Sequence, residues 1–244
     1  MKYFSFLKEN MFFVISFFFL IALNLIGCFL ESKHFFKVLF PFFVPLFSIY
    51  LIKFKYCNSL FISFLMFSFL GDLSLVLHFF EGKATSLLYL LSYFCLILLV
   101  LPEVQFIKIQ NLVKTYLFLV LAIAIYFIYA LYLKLLGFIN DDVTLLLVTL
   151  KIIGLVFLSF IALSLYFKED SMKNVMFLIA VICIDFSAFL NFVNLYYLFN
   201  WSFVALEGIF YVLSIYFLFR YVIYDRIFAS YKFNKNYKSN KVII

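Results

Sequence analysis

The stretch Phe67-Ser68-Phe69-Leu70-Gly71-Asp72-Leu73-Ser74-Leu75 sets the terms on which the chain folds. Asp72 lies inside an apolar run from about Ser59 to Phe80, long enough to cross the hydrocarbon core of a bilayer. A carboxyl group at that depth costs roughly 2.5–3.5 kcal/mol on insertion, so it is expected to have a partner and a task. The other residues are weighed by whether they explain it.

Composition puts the whole chain in the bilayer. The 244 residues are 68% hydrophobic and only 13% charged, with a mean hydropathy of +1.18. A soluble domain carries about 25% charged residues and has no core large enough for this much Phe, Leu and Ile. Forty Phe and eighteen Tyr are compatible with lipid and do not mark a cofactor site. Cys28, Cys57, Cys95 and Cys183 are scattered without a CxxC pair, so neither a disulfide nor a metal site is expected. Only His34 and His78 are present, which argues against a multi-histidine metal centre. No cofactor is expected.

With about 20 apolar residues needed per span, the chain reads as an all-α polytopic membrane bundle of eight transmembrane helices. The expected spans are 11–30, 35–52, 59–80, 84–101, 112–136, 143–167, 174–198 and 201–223. Residues 1–230 form one transmembrane domain, followed by a basic tail over 231–244. Connections such as Lys53–Asn58 and Glu81–Lys83 are short, so sequence neighbours are antiparallel hairpins. The first span is read as retained, because its apolar stretch exceeds the 7–15 residues of a signal-peptide core and Cys28-Phe29-Leu30-Glu31 is no small-residue cleavage site.

Charge placement sets the orientation. Fourteen of the nineteen Lys and Arg residues fall on the side carrying the N-terminus, against Lys33, Lys37, Lys83 and Lys134 on the other. Both termini are thus expected in the cytoplasm of a cell-membrane protein. The net charge of +7 is concentrated towards the C-terminal end, where it faces anionic lipid headgroups rather than nucleic acid.

At 1.5 Å rise per residue, Asp72, Lys151 and Glu207 fall at similar depths in the outer half, with Asp185 deeper and near the midplane. Asn191 and Asn194 lie above Asp185 on the same span, and Lys37 and His78 lie near the outer interface. Two carboxyl groups and a lysine in one low-dielectric cavity can share protons and charge, and two carboxyls with different surroundings can divide acid and base roles. Bland roles stand beside these. Lys37 can snorkel to the interface, Lys151 can be a counter-ion, and the two asparagines can be interhelical hydrogen-bonding links. Gly-rich phosphate loops, HExxH and GxSxG are all missing.

These residues resemble the YhhN/lysoplasmalogenase-like family of membrane proteins. Phe67-Ser68-Phe69-Leu70-Gly71-Asp72 matches its Phe-Ser-x-x-Gly-Asp motif, and the eight spans fit as well. Phe36-Lys37-Val38-Leu39-Phe40-Pro41 carries the family's Lys and Pro with the Pro displaced. Ile184-Asp185 keeps the Asp of a late Ser-Asp motif. Leu90 stands where the family has His, and Ile215 stands where its late Tyr…Gln pair has Gln, leaving Tyr211 and Tyr216.

The resemblance implies hydrolysis of the vinyl ether bond of lysoplasmalogens. Asp72 and Asp185 would be the catalytic acid and base, in an order left open. Lys37, Lys151, Asn191 and Glu207 would contact a membrane lipid or lysophospholipid substrate, and Lys37 or Lys151 would hold its phosphate. The alternatives are a proton-coupled small transporter or lipid-binding module, and a catalytically inactive membrane scaffold or sensor.

Overall fold

The structure is a computed structural model that describes residues 15, 17–27, 29–30, 42, 44–45, 48–49, 58–77, 82–104, 111–168 and 171–239. Among these the chain is all-helical. The helices are α1 (Phe17–Gly27), α2 (Ser59–Leu77), α3 (Lys83–Val100), α4 (Asn111–Leu135), α5 (Asp142–Lys168), α6 (Met172–Tyr196) and α7 (Trp201–Ser239). Five of them, α3 to α7, are long and apolar enough to cross a membrane, and α1 and α2 are shorter apolar helices. The chain is therefore a multi-pass helical membrane protein. Most of the second expected span, with Lys37, lies outside the described residues, as does His78.

The helix ends are written in local chemistry. Asn58 opens α2, its Oδ1 accepting from the amides of Leu60 (3.0 Å) and Phe61 (3.4 Å). Ser171 caps α6 through Asn174 N–H, and Asn200 accepts from Ser202 N–H at 2.9 Å as α7 begins. Each side-chain oxygen satisfies an amide that the first helical turn leaves without an intrahelical partner. Gly82 precedes α3 with φ of 84°, a left-handed turn that glycine adopts without steric cost. The turn between α6 and α7 falls at 197–200, close to the expected break between the spans 174–198 and 201–223. The last apolar span closes at Tyr224, close to the expected 223. Its helical backbone runs on to Ser239, through much of the expected tail.

The helices pack as hairpins, α2 on α3 and α6 on α7, with α5 between α3 and α6. Helix α4 packs on α5 and leaves Phe118, Tyr126, Phe127 and Tyr129 exposed, as suits a helix facing lipid. Within the spans, Ser and Thr hydroxyls donate to carbonyls three or four residues back. Ser92 to Tyr89, Thr149 to Leu145 and Ser164 to Phe160 are examples, each bond giving a hydroxyl the partner that hydrocarbon cannot.

The two ends of the bundle differ. At the Glu103 face, where α3 ends and α6 begins, Phe61, Leu96, Leu158, Phe177, Leu218 and Phe219 form one dry core. Lys173 ties this face together by reaching Glu103 at 2.9 Å and lying over the Tyr221 ring. At the Gly82 face the core gives way to a large chamber.

Helix α1 is docked by a close approach. Asn24, fully buried, lies so near Gly208 of α7 that a Cβ there would sit 2.1 Å from its Oδ1. Small residues at helix crossings permit such contact. Gly208→Ala is expected to lower stability by about 1–3 kcal/mol, the range for overpacking. Thermal unfolding in detergent measures this, and adding Asn24→Ala should recover much of the loss.

Candidate active site in an intramembrane chamber

The chamber has a volume of about 760 Å³ and is walled by α2 through α7. Helical periodicity explains who lines it. Ser68, Asp72 and Leu75 are one face of α2; Ser86, Tyr89 and Tyr93 one face of α3; Val148, Lys151, Leu155 and Ser159 one face of α5. Helix α6 adds Asp185, Ala188, Asn191 and Leu195, and α7 adds Val204, Glu207, Tyr211 and Ser214. Apolar Val120, Leu121, Ala124 and Leu131 come from α4.

Five of the six residues expected at the site, Asp72, Lys151, Asp185, Asn191 and Glu207, therefore line the same space, and Lys37 lies outside the described residues. Asn194, placed above Asp185 on the same span, joins them.

The three acids are held differently. Asp72 is 1% exposed. Its Oδ1 accepts from the Tyr89 hydroxyl on α3, and its Oδ2 accepts from the Tyr211 hydroxyl on α7 at 2.8 Å. Each carboxyl oxygen thus has a phenolic donor, and the group is anchored from two sides. The Tyr89 ring packs close to Gly71, where a Cβ would meet it at 3.4 Å. Asp185 is less confined. Its Oδ2 accepts from Ser159 of α5 at 2.5 Å, while no described residue bonds its other oxygen. Glu207 accepts from the Asn191 amide at 2.6 Å and has Lys151 as its nearest cation, without a direct ion pair. Tyr93 lies within electrostatic reach of both Asp72 and Asp185.

The chamber thus offers one carboxyl with both oxygens held, one with an oxygen open to the cavity, and a lysine beside a third. That set can deliver a proton, accept one and stabilise a developing positive charge. Among the described residues, no group of three or more His, Cys, Asp or Glu side chains is placed to hold a metal. Cys95 and Cys183 are free thiols.

Tyr89 and Ser159, which the sequence reading did not single out, hold the two expected catalytic acids. Both were detectable in principle. Ser86, Tyr89 and Tyr93 make a polar stripe at helical spacing, and Ser159 stands eight residues, or two turns, past Lys151 on the same face.

No protein-family model, curated protein or solved structure matches the chain, so the likeness to the YhhN family rests on the quoted motifs.

Two turns are fastened beside the chamber. Gly82 and Thr144 both line it, and next to them Lys83 bridges Asp141 at 3.1 Å. Asp141 also accepts from the Thr144 amide at 2.8 Å and from its hydroxyl. These Thr144 hydrogen bonds, with the Lys83 charge, hold the Asp141 carboxyl below its ordinary value. A carboxyl depressed in the folded state stabilises it above the unfolded pKa of about 3.9, and the contribution disappears as pH falls through the folded value. Stability measured by thermal unfolding is therefore expected to drop on acidification below about pH 4. In Asp141→Asn that part of the drop should be absent.

Proposed function

We propose that the chain is an eight-span membrane hydrolase of the YhhN/lysoplasmalogenase-like kind, acting on the vinyl ether bond of a lysophospholipid. The observation that carries this reading is the meeting of Asp72 and Asp185 in one chamber with unlike surroundings. The chamber volume, about 760 Å³, lies within the roughly 300–1,000 Å³ typical of sites for a single small ligand. Its apolar α4 wall suits a hydrocarbon chain.

The chemistry asks for little else. A proton is added to the outer carbon of the vinyl ether, leaving an oxocarbenium ion at the carbon next to oxygen. Water adds to that carbon with loss of a proton, and the hemiacetal collapses to a fatty aldehyde and a glycerophospho-alcohol. One vinyl ether and one water give one aldehyde and one alcohol. Asp185, with an oxygen open to the cavity, is suited to exchanging protons with substrate or water. Asp72, fixed by two phenols, is suited to facing the cationic intermediate. The terminal basic residues meet anionic headgroups at the cytoplasmic surface, and both termini lie on that side.

The test is aldehyde release from a lysoplasmalogen by purified protein. Asp72→Asn and Asp185→Asn should each reduce the rate by about 10²–10⁴, the range for losing a general acid or base. Activity surviving both single changes contradicts the proposal. The distribution of three acids and a lysine over four helices of the chamber also favours a second reading, a proton-coupled carrier. Uptake into vesicles that is lost in Asp185→Asn, with no aldehyde formed, selects it.

A further inference from the structure

Lys151 is not used in the chemistry above. It projects from α5 into the chamber, with no hydrogen-bond acceptor and no ion-pair partner among the described residues. The described charge that acts on it is Glu207 on α7, and that carboxyl already takes the Asn191 amide.

A phosphate is a poor match for this place. Among the described residues, Asp72, Asp185 and Glu207 line the chamber against one lysine, so an anionic group at Lys151 itself brings more negative charge beside Glu207. A neutral carbonyl adds none. The walls near Lys151 are apolar, with Val148, Ile152 and Leu155 on its own helix, and limit competing water.

We propose that Lys151 is a carbonyl-capture site that forms an imine with a long-chain aliphatic aldehyde. The unprotonated Nζ adds to the aldehyde carbon, a proton moves from nitrogen to oxygen, and a carbinolamine results. Glu207 protonates its hydroxyl, water leaves, and the C=N double bond forms. The nitrogen's remaining proton returns to Glu207. One aldehyde and one amine give one imine and one water, with no change of oxidation state. Lysines desolvated in an apolar pocket are the usual nucleophiles for this step. The site does not depend on the hydrolysis proposed above, although that reaction would release its ligand inside the same chamber.

The experiment uses the full chain in lipid nanodiscs, equimolar hexadecanal, and sodium cyanoborohydride to reduce the imine irreversibly to a secondary amine. Peptide mass spectrometry then locates the alkyl group. Added aldehyde makes the result independent of whether the chain hydrolyses any lipid. Lys151 is expected to be alkylated at least about tenfold faster than exposed lysines such as Lys134, the advantage of a positioned nucleophile and acid. In Glu207→Gln the rate at Lys151 should fall by about tenfold or more while the rate at Lys134 is unchanged. Labelling of Lys151 no faster than Lys134, or its absence, overturns the proposal. An unchanged Lys151 rate in Glu207→Gln overturns the role given to Glu207.

Discussion

One carboxyl group joins the two halves of the bundle. Asp72 of α2 takes a hydroxyl from Tyr89 of α3 through one oxygen and a hydroxyl from Tyr211 of α7 through the other. The first bond closes the α2–α3 hairpin and the second crosses to the α6–α7 hairpin. An acid at this depth in lipid is costly unless its lone pairs are met, and two phenols meet them without adding charge. The cost of burial thereby becomes a geometric constraint: whatever separates the hairpins strands the carboxyl. Gly71 belongs to the same arrangement, since the Tyr89 ring lies against its bare backbone.

That constraint also divides the bundle along its length. Below Asp72, Phe61 meets Phe219 ring edge to face and the helices close on a continuous apolar core. Above it, the same helices leave about 760 Å³ between them. The chamber thus stands on a rigid floor, and its polar groups come from helices rather than loops, which fixes their positions. Asp185 and Ser159 stand across from Asp72 on α6 and α5, so the two acids meet in one space without sharing a hydrogen bond. Lys151 and Glu207 act on each other electrostatically elsewhere in it, without a direct ion pair.

Much of this was legible in the sequence because lipid imposes a simple rule. Apolar runs of about 20 residues with short polar breaks gave α3 to α7 within a few residues at nearly every end. The exception is the end of α7, which passes Ile223 because hydropathy marks where a span leaves the bilayer and says nothing of where helical backbone stops. The acids were legible for the same reason, as each costs too much to be incidental. Their partners were not. Tyr and Ser are common in this chain, and hydropathy cannot tell the Tyr89 that bonds Asp72 from the Tyr126 that faces outward. The close approach of Asn24 to Gly208 was equally hidden, because it depends on how α1 lies across α7.

The account stands on the Asp72 tie, and a double-mutant cycle on unfolding free energy tests it most directly. Asp72→Ala, Tyr211→Phe and the double variant are compared with the parent protein in bicelles. If the bond across the hairpins is the one described, Tyr211→Phe costs little once Asp72 is gone, and the coupling falls within about 0.5–3 kcal/mol. If the two losses simply add, Asp72 and Tyr211 are independent and the halves of the bundle are held by something else.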